Sequence, residues 1–264
     1  MEYLTISDGQ FPRLAHSAVT MGKFDGIHRG HRKLIRRILE QKEETGAAAV
    51  VLAFVTDRKM ILTKAERRDL LERLGVDVLL ECPLDGRLKH MKAENFIKQI
   101  LVGSLHASYM AVGEDFRFGY ERKGTPDLLE KNGEKYGFVT EVLSKEMDGD
   151  RKISSTYIRE ELNRGNMEKT AGLLGCDFYV SGTVEHGRGM GHRTFFPTAN
   201  IIPPPEKLMP PNGVYITVSS FGAEVYPGIT NVGYKPTVGE NFVGVETYLF
   251  NWDIGKGREF FKID

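Results

Sequence analysis

The sequence predicts two regions of different fold class: an α/β region on a doubly wound parallel sheet, then a small antiparallel β region. Two observations carry this. Up to residue 176, apolar runs of strand length alternate with amphipathic stretches of helical period, the pattern of βαβ units. From Asp177 the runs are short strands separated by Gly and Pro turns, the pattern of an antiparallel barrel or sandwich. The switch in period near Cys176 divides the chain into 1–176 and 177–264.

In the first region, residues 18–21 form an apolar run that ends in Gly22, and an amphipathic pattern begins near His28. That reads as strand, loop and helix start, with Gly46 as the C-terminal cap. Residues 48–54 read as a central parallel strand. Thr63-x-x-Glu66 is a capping box opening a helix to about Leu74, which Gly75 ends. Residues 76–82 form the next strand and 93–101 a short helix, and further strands lie within 108–116 and 138–143. In such a sheet, ligands bind beyond the carboxyl ends of the strands. In the second region, strands are expected over 179–184, 198–202, 214–219, 225–232 and 245–252. Pro203-Pro204-Pro205, Pro210-Pro211-Asn212-Gly213 and Pro236 separate them.

Composition bounds the function. With 36 basic and 36 acidic side chains in 264 residues, charge gives no argument for nucleic acid or an anionic membrane. Cys82 and Cys176 lie far apart in ordinary apolar context, which fits a reducing cytoplasm better than a disulfide framework. Met1-Glu2-Tyr3-Leu4-Thr5 has no signal-peptide pattern, and the longest apolar run, 47–55, is too short to span a bilayer. The expectation is a cytoplasmic protein acting on small molecules, without nucleic-acid or membrane partners. Nothing in the sequence sets its oligomeric state.

Residues 17–34 carry the strongest chemical signal. After Gly22 come Phe24, Asp25 and Gly26, then His28-x-Gly30-His31. Two histidines three apart in the first turn of a helix share a face. Unpaired N–H groups and the helix dipole favour an anion there, and Gly26 and Gly30 let the backbone approach a bulky ligand. This is a nucleotide phosphate site without a P-loop. Three plainer readings compete. For a lone histidine, a capped or solvated group is the better explanation, but two histidines with two glycines favour function. A zinc site of HExxH type needs histidines four apart and a glutamate. Arg32, Lys33, Arg36 and Arg37 read as a solvated face, while Arg29 at the helix start stays open.

These residues are similar to a known family. HxGH after a strand resembles the nucleotidyltransferases, and Gly22-Lys23-Phe24-Asp25-Gly26-Ile27-His28-Arg29-Gly30-His31 resembles the bacterial bifunctional FAD synthetases, riboflavin kinase fused to FMN adenylyltransferase. Gly113-Glu114-Asp115-Phe116-Arg117-Phe118-Gly119 resembles that family's second signature, and Ile153-Ser154-Ser155-Thr156-Tyr157-Ile158-Arg159 its third. Residues 163–175 look like its linking helix. The resemblance implies that His28 and His31 hold the ATP phosphates. Ser154, Ser155, Thr156 and Arg159 would grip the triphosphate and leaving pyrophosphate, and Gly113 and Asp115 would line the nucleotide site. Taken alone, the second signature could be a charged turn bounded by glycines, and the third a plain capped helix start.

The second region resembles the riboflavin kinase module, a small antiparallel β-barrel. Gly182-x-Val184-x-His186-Gly187 leads to Pro197-Thr198-Ala199-Asn200, then to Gly213-Val214-Tyr215, Asn231-Val232-Gly233 and Pro236-Thr237. By resemblance Gly187 and Pro197 belong to the kinase ATP site, and Thr198 and Asn200 bind Mg²⁺ and ATP phosphates as hard oxygen donors. By resemblance Glu246 is the base for the riboflavin 5′-hydroxyl; read alone it is an outward-facing strand glutamate.

The implied activity is phosphorylation of riboflavin to FMN and adenylylation of FMN to FAD, with ATP and Mg²⁺. This sequence departs from the family's pattern in several places. Phe54-Val55-Thr56-Asp57-Arg58 replaces a Phe-Asp-Pro-His-Pro-like segment. His192 stands for an arginine, and Thr194 and Phe195 for a Leu-Gly pair. The region after Trp252 is shorter, and relatives continue into a C-terminal helix. The alternatives are therefore an FMN adenylyltransferase with a degenerate kinase half, or a non-catalytic flavin- or nucleotide-binding regulator. A cytidylyltransferase shares HxGH but not the second-region motifs.

Overall fold

The structure, a computed structural model, describes residues 1–7, 9–55, 58–84, 86–184, 198–237, 240–251 and 260–263. It divides into two compact units, 1–58 with 64–154 and 59–63 with 155–264.

In the first unit, β1 (Glu2–Thr5), β2 (Ser17–Gly22), β3 (Ala48–Val55), β4 (Val78–Pro83), β5 (Ala107–Gly113) and β6 (Val139–Leu143) form one sheet. Its order is β1-β4-β3-β2-β5-β6 and every pair is parallel. The expected doubly wound sheet is present. β2 and β3 are apolar along almost their whole length because both faces of the sheet are covered. On one face Val19, Met21, Val50, Leu52 and Met110 pack in a buried cluster with Phe96, Ile97 and Phe118.

Helix α1 (Arg29–Thr45) turns Ile35 and Ile38 inward and ends at Gly46, whose φ of 73° is the left-handed cap expected there. Helix α2 (Lys64–Arg73) follows Thr63. Two short helices, α3 (Gly86–Lys89) and α4 (Ala93–Asn95), come next, and α4 widens into a π-helical stretch over Phe96–Val102. Helix α5 (Pro126–Tyr136) precedes β6, and a hairpin of β7 (Met147–Asp148) and β8 (Arg151–Lys152) follows it. The sequence reading missed α5, although Thr125 caps it, Pro126 opens it and Gly137 closes it at φ 79°.

The strand order places the site. From β2 the chain runs outward to β3 and β4 on one side, while β5 and β6 lie on the other. The β2/β5 boundary is a topological switch point, with a crevice outside the carboxyl ends. Thr20 pairs with Ala111, so the ends at Gly22 and Gly113 come out side by side. Each of these two ends leads into one of the sequence motifs.

In the second unit, helices α6 (Ser155–Arg164) and α7 (Met167–Leu174) precede six strands. These are β9 (Val180–Thr183), β10 (Thr198–Ile201), β11 (Gly213–Phe221), β12 (Glu224–Thr237), β13 (Glu240–Leu249) and β14 (Phe260–Ile263). Their order is β10-β13-β12-β11-β14-β9, all antiparallel. The end strands nearly meet: a Cβ on Gly182 of β9 would lie 2.7 Å from Ile201 Cγ2 of β10. A glycine permits that approach, and the sheet is a nearly closed barrel. The linking helix expected over 163–175 is two helices broken at Gly165, φ 78°.

Residues 59–63 belong to this unit because they are stitched to residues 206–208. The Met60 N–H donates to Glu206 O at 2.6 Å, and the Leu208 N–H donates to Met60 O at 2.7 Å. Lys207, 1% exposed, donates from Nζ to Ile61 O at 2.8 Å, and its ammonium lies 4.6 Å from the Phe178 ring centre. A carbonyl and an aromatic face together make burial of that charge tolerable.

Candidate active sites

Residues 22–31 leave β2 through a contorted loop. Phe24 and Ile27 hold φ of 47° and 44°, and Gly26 holds 90°. Left-handed φ in a β-branched residue is rare and costs on the order of 1–3 kcal/mol. Burial holds both side chains in place, since Phe24 and Ile27 are fully enclosed. Asp25 is half-buried between Phe24 and Gly26. The Phe24 ring lies over Gly22 and 4.9 Å from the His31 ring.

His28 is the N-cap of α1. Its Nδ1 accepts from the His31 N–H at 3.4 Å, and the two imidazoles stack at 3.7 Å. The spacing of the motif follows from this. The His28 ring folds back over Gly30, where a Cβ would lie 3.2 Å from His28 Cε1. Because Nδ1 of His28 accepts, its proton sits on Nε2. Burial, then the Lys145 charge, pushes the His28 pKa down to about 4. Burial, then His28, holds His31 well below its ordinary value. Both rings are therefore neutral at pH 7 and act through N–H donors and lone pairs. His31 Nδ1 is buried without a hydrogen-bond partner.

The second motif closes the other side of the crevice. At the end of β5, the Glu114 N–H donates to Leu143 O at 3.1 Å and the Phe116 N–H to Gly113 O at 2.9 Å. Phe118 is buried against Phe96 and stacks on Phe116. Asp115 pairs with Lys145, the residue whose charge also acts on His28, so this loop and the histidine pair share one cation. Around them, Arg29 and Lys33 each reach Glu146 at 3.4 Å, and Lys152 reaches Glu114 at 3.3 Å. Arg29, left open by the sequence, thus belongs to this ring of paired charges. Lys145, Glu146 and Lys152 were not anticipated; their only signal was their place just beyond a strand's carboxyl end.

Ser154 directly precedes α6 and Ser155 and Thr156 open it, the position expected of a cap. Arg159, half-buried one turn on, donates from Nη2 to Lys59 O within the second unit.

In the barrel, Asn200, Glu246 and Asn231 stand side by side across β10, β13 and β12. Thr198 Oγ1 donates to Glu246 Oε1 at 2.8 Å, and Asn200 Nδ2 donates to Thr198 O at 3.4 Å. Asn200 is 8% exposed and Glu246 half-buried. Inward-facing Val245 and Thr247 flank Glu246, so this row lies on the outer face of the barrel. Glu246 does face outward, but as the centre of a polar cluster. Thr198, Asn200 and Glu246 are thus brought together. Gly187 and Pro197, with Asp57, His186, His192, Thr194 and Phe195, lie outside the described residues.

The α/β unit has a nucleotidyltransferase-like fold with the histidine pair at a sheet switch point, and the second unit carries a nearly closed antiparallel barrel. Residues 11–157 match the model of the FAD synthetase family and residues 174–260 that of riboflavin kinase. The chain is 36% identical over 244 residues to the bifunctional riboflavin kinase/FMN adenylyltransferase of Escherichia coli K12, covering 88% of this chain and 78% of that protein. The protein of the same name from Haemophilus influenzae is 30% identical, with 89% and 80% covered, and that of Buchnera aphidicola from Acyrthosiphon pisum 34%, with 94% and 83% covered. The chain belongs to the bifunctional riboflavin kinase/FMN adenylyltransferase family. A crystal structure described as a macrolide-efflux protein from Streptococcus pneumoniae superposes with a TM-score of 0.86 at 25% identity, covering 100% of this chain and 89% of that one. Among the described residues, no helix is long and apolar enough to cross a membrane.

Proposed function

We infer that this chain makes FAD from riboflavin in two steps, each consuming ATP. What carries the reading is the helix N-terminus at the switch point of the α/β unit, capped by a stacked pair of neutral imidazoles. We assign adenylylation of FMN to residues 1–176 and phosphorylation of riboflavin to residues 177–264.

In adenylylation, a phosphate oxygen of FMN bonds to the α-phosphorus of ATP while the bond from that phosphorus to the β-phosphate bridge breaks, releasing pyrophosphate. The nucleophile is already an anion, so the site needs alignment and charge neutralisation rather than a strong base. His28 and His31 would donate to the ATP phosphates at the positive end of α1, without carrying charge themselves. Positive charge comes from Arg29, Lys33 and Lys145, which the incoming phosphates would draw from their carboxylate partners. Gly22, Phe24, Asp25, Gly26, Gly30, Gly113 and Asp115 would shape the nucleotide site. Ser154, Ser155, Thr156 and Arg159 would hold the triphosphate and pyrophosphate.

In phosphorylation, Glu246 would take the proton of the riboflavin 5′-hydroxyl as that oxygen bonds to the γ-phosphorus and ADP leaves. Gly187 and Pro197 would complete the ATP site by family resemblance. Thr198 and Asn200 fit Mg²⁺: Thr198 directs its hydroxyl proton to Glu246, so a lone pair of that oxygen can face a hard cation. Bound there, Mg²⁺ would neutralise phosphate charge. We place the protein in the cytoplasm, a location supported by its two free cysteines.

The deciding experiment supplies either riboflavin or FMN, with ATP and Mg²⁺, and separates the products by chromatography. FMN and FAD from riboflavin are expected. FAD from FMN alone would leave only the adenylyltransferase, and flavin binding without any product would overturn the assignment.

A further inference from the structure

The second unit contains a cavity of about 310 Å³ that neither proposed reaction uses. Helix α7 forms one side through Met167 and Ala171, and the inner face of the barrel forms the other through Val180, Val232, Val245 and Ile263. Thr198, Asn200 and Glu246 lie on the opposite face of the sheet. The volume is about twice the ~150 Å³ of an apolar cavity that takes up benzene, and at the lower end of the range for ligand pockets.

Besides Tyr215, whose hydroxyl donates to Pro211 O at 2.7 Å, two threonine hydroxyls interrupt the apolar wall. Thr217, Thr230 and Thr247 form a buried row, joined Oγ1 to Oγ1 at 2.7 and 2.8 Å. Three hydroxyls joined by two bonds have one proton to spare, at an end of the row or on Thr230 between two donors. If the bonds run from Thr247 to Thr217, that proton is available at Thr217, in the cavity wall. If they run the other way, Thr217 presents only lone pairs. The row can therefore meet either an acceptor or a donor. At the rim stand two exposed carboxylates, Glu168 and Asp177, and among the described residues no lysine or arginine lines the cavity. A phosphorylated or carboxylated ligand would face repulsion there.

The geometry points to a binding site for an uncharged, largely apolar compound of about two-ring size with one hydroxyl or carbonyl, seated in the barrel with that group against Thr217 and Thr230. It lies across the barrel wall from Thr198, Asn200 and Glu246, and its carboxylate rim disfavours FMN, FAD and ATP.

The test uses the full chain and three probes: 2-naphthol, naphthalene and 2-naphthoate. Titration should show saturable binding of 2-naphthol, with 2-naphthoate at least ~10-fold weaker because of the carboxylate rim. Nuclear Overhauser contacts should run from 2-naphthol to the methyls of Ala171, Val232, Val245 and Ile263. Thr230→Val, nearly isosteric, should weaken 2-naphthol roughly fivefold and leave naphthalene within about twofold, as loss of one hydrogen bond predicts. The site does not exist as described if 2-naphthol fails to bind up to its solubility limit, or if its contacts fall on other methyls. Equal binding of 2-naphthoate would refute the charge argument. An unchanged 2-naphthol affinity in Thr230→Val would refute the role of the hydroxyl row. The contact measurement needs no variant, so a Thr230→Val protein that fails to fold leaves the proposal open to refutation.

Discussion

The histidine pair of the first unit and the Thr198–Asn200–Glu246 cluster of the second hold their polar groups in opposite ways. The histidines lie at the end of a helix, stacked and sunk among buried residues, on a loop forced into left-handed backbone at Phe24 and Ile27. The glutamate lies in the middle of a strand, half-open, held by neighbours on the next strand. One site is assembled by local chain geometry at a sheet switch point, the other by strand register. The first can therefore fail through small shifts of a single loop. The second fails mainly through loss of a particular functional group.

The largest expected effect tests the second site. Glu246→Gln keeps an oxygen to accept from the Thr198 hydroxyl but cannot take a proton. Riboflavin phosphorylation should fall by about 10³-fold, in the middle of the range for removal of a general base. FMN adenylylation should stay within roughly twofold, because Glu246 is not among the groups assigned to that reaction. Asn200→Ala should divide the two activities in the same direction. Loss of both in a folded variant would end the assignment of the two reactions to residues 1–176 and 177–264.

His31→Ala is the converse experiment, and its effect should be smaller. The ring is a neutral donor among several groups that meet the phosphates, so kcat for adenylylation should drop by ~100-fold, as for removal of one transition-state hydrogen bond. Phosphorylation of riboflavin should not change. Near wild-type FAD formation from FMN would remove these histidines from the mechanism.

Gly30→Ala tests how finely the first site is set. The new Cβ would lie 3.2 Å from His28 Cε1, so the ring must move by a few tenths of an ångström. Moving it disturbs both the stack on His31 and the bond from the His31 N–H. Adenylylation should fall about tenfold from misalignment alone, with about 1 kcal/mol lost from the weakened cap in thermal melts. An unchanged rate would mean that the loop tolerates shifts the comparison says it cannot.

The same contrast explains what could be read beforehand. His28-x-Gly30-His31 was legible because a helix terminus is a local structure, and the doubly wound sheet because its strands are apolar on both faces. Lys145 was not, since only the parallel packing of β6 beside β5 brings it to Asp115. Glu246 read as an ordinary strand glutamate until register placed Asn200 and Asn231 beside it. Strand spacing alone leaves barrel and sandwich equal; the resemblance points to a barrel, and the approach of Gly182 to Ile201 bears it out. β1 is four residues on a sheet edge, too short to show a period. Nothing in the sequence around Lys207 says that a lysine there is buried, because its partners Ile61 and Phe178 come from distant parts of the chain.

The smallest and most diagnostic effect concerns protons. His28 has a pKa of about 4 in the folded protein and an ordinary value of 6.5. Between those values the unfolded chain binds a proton that the folded one does not, so stability rises with pH through that window. The contribution is complete above pH 6.5, is lost as pH falls toward 4, and changes no further below that. For His28 it is on the order of 3 kcal/mol, and His31 acts in the same direction. Both groups stand at the start of α1, so this part of the acid sensitivity belongs to the histidine pair of the first unit. Denaturant unfolding measured from pH 7.5 to 4 should show the loss, and Lys145→Met should reduce it by removing a charge that opposes protonation of His28. In that variant the His28 ring-proton titration followed by NMR should move up from about 4 toward the ordinary value. A titration that stays in place would show that Lys145 does not face the histidines, and would detach Asp115 and its loop from the site.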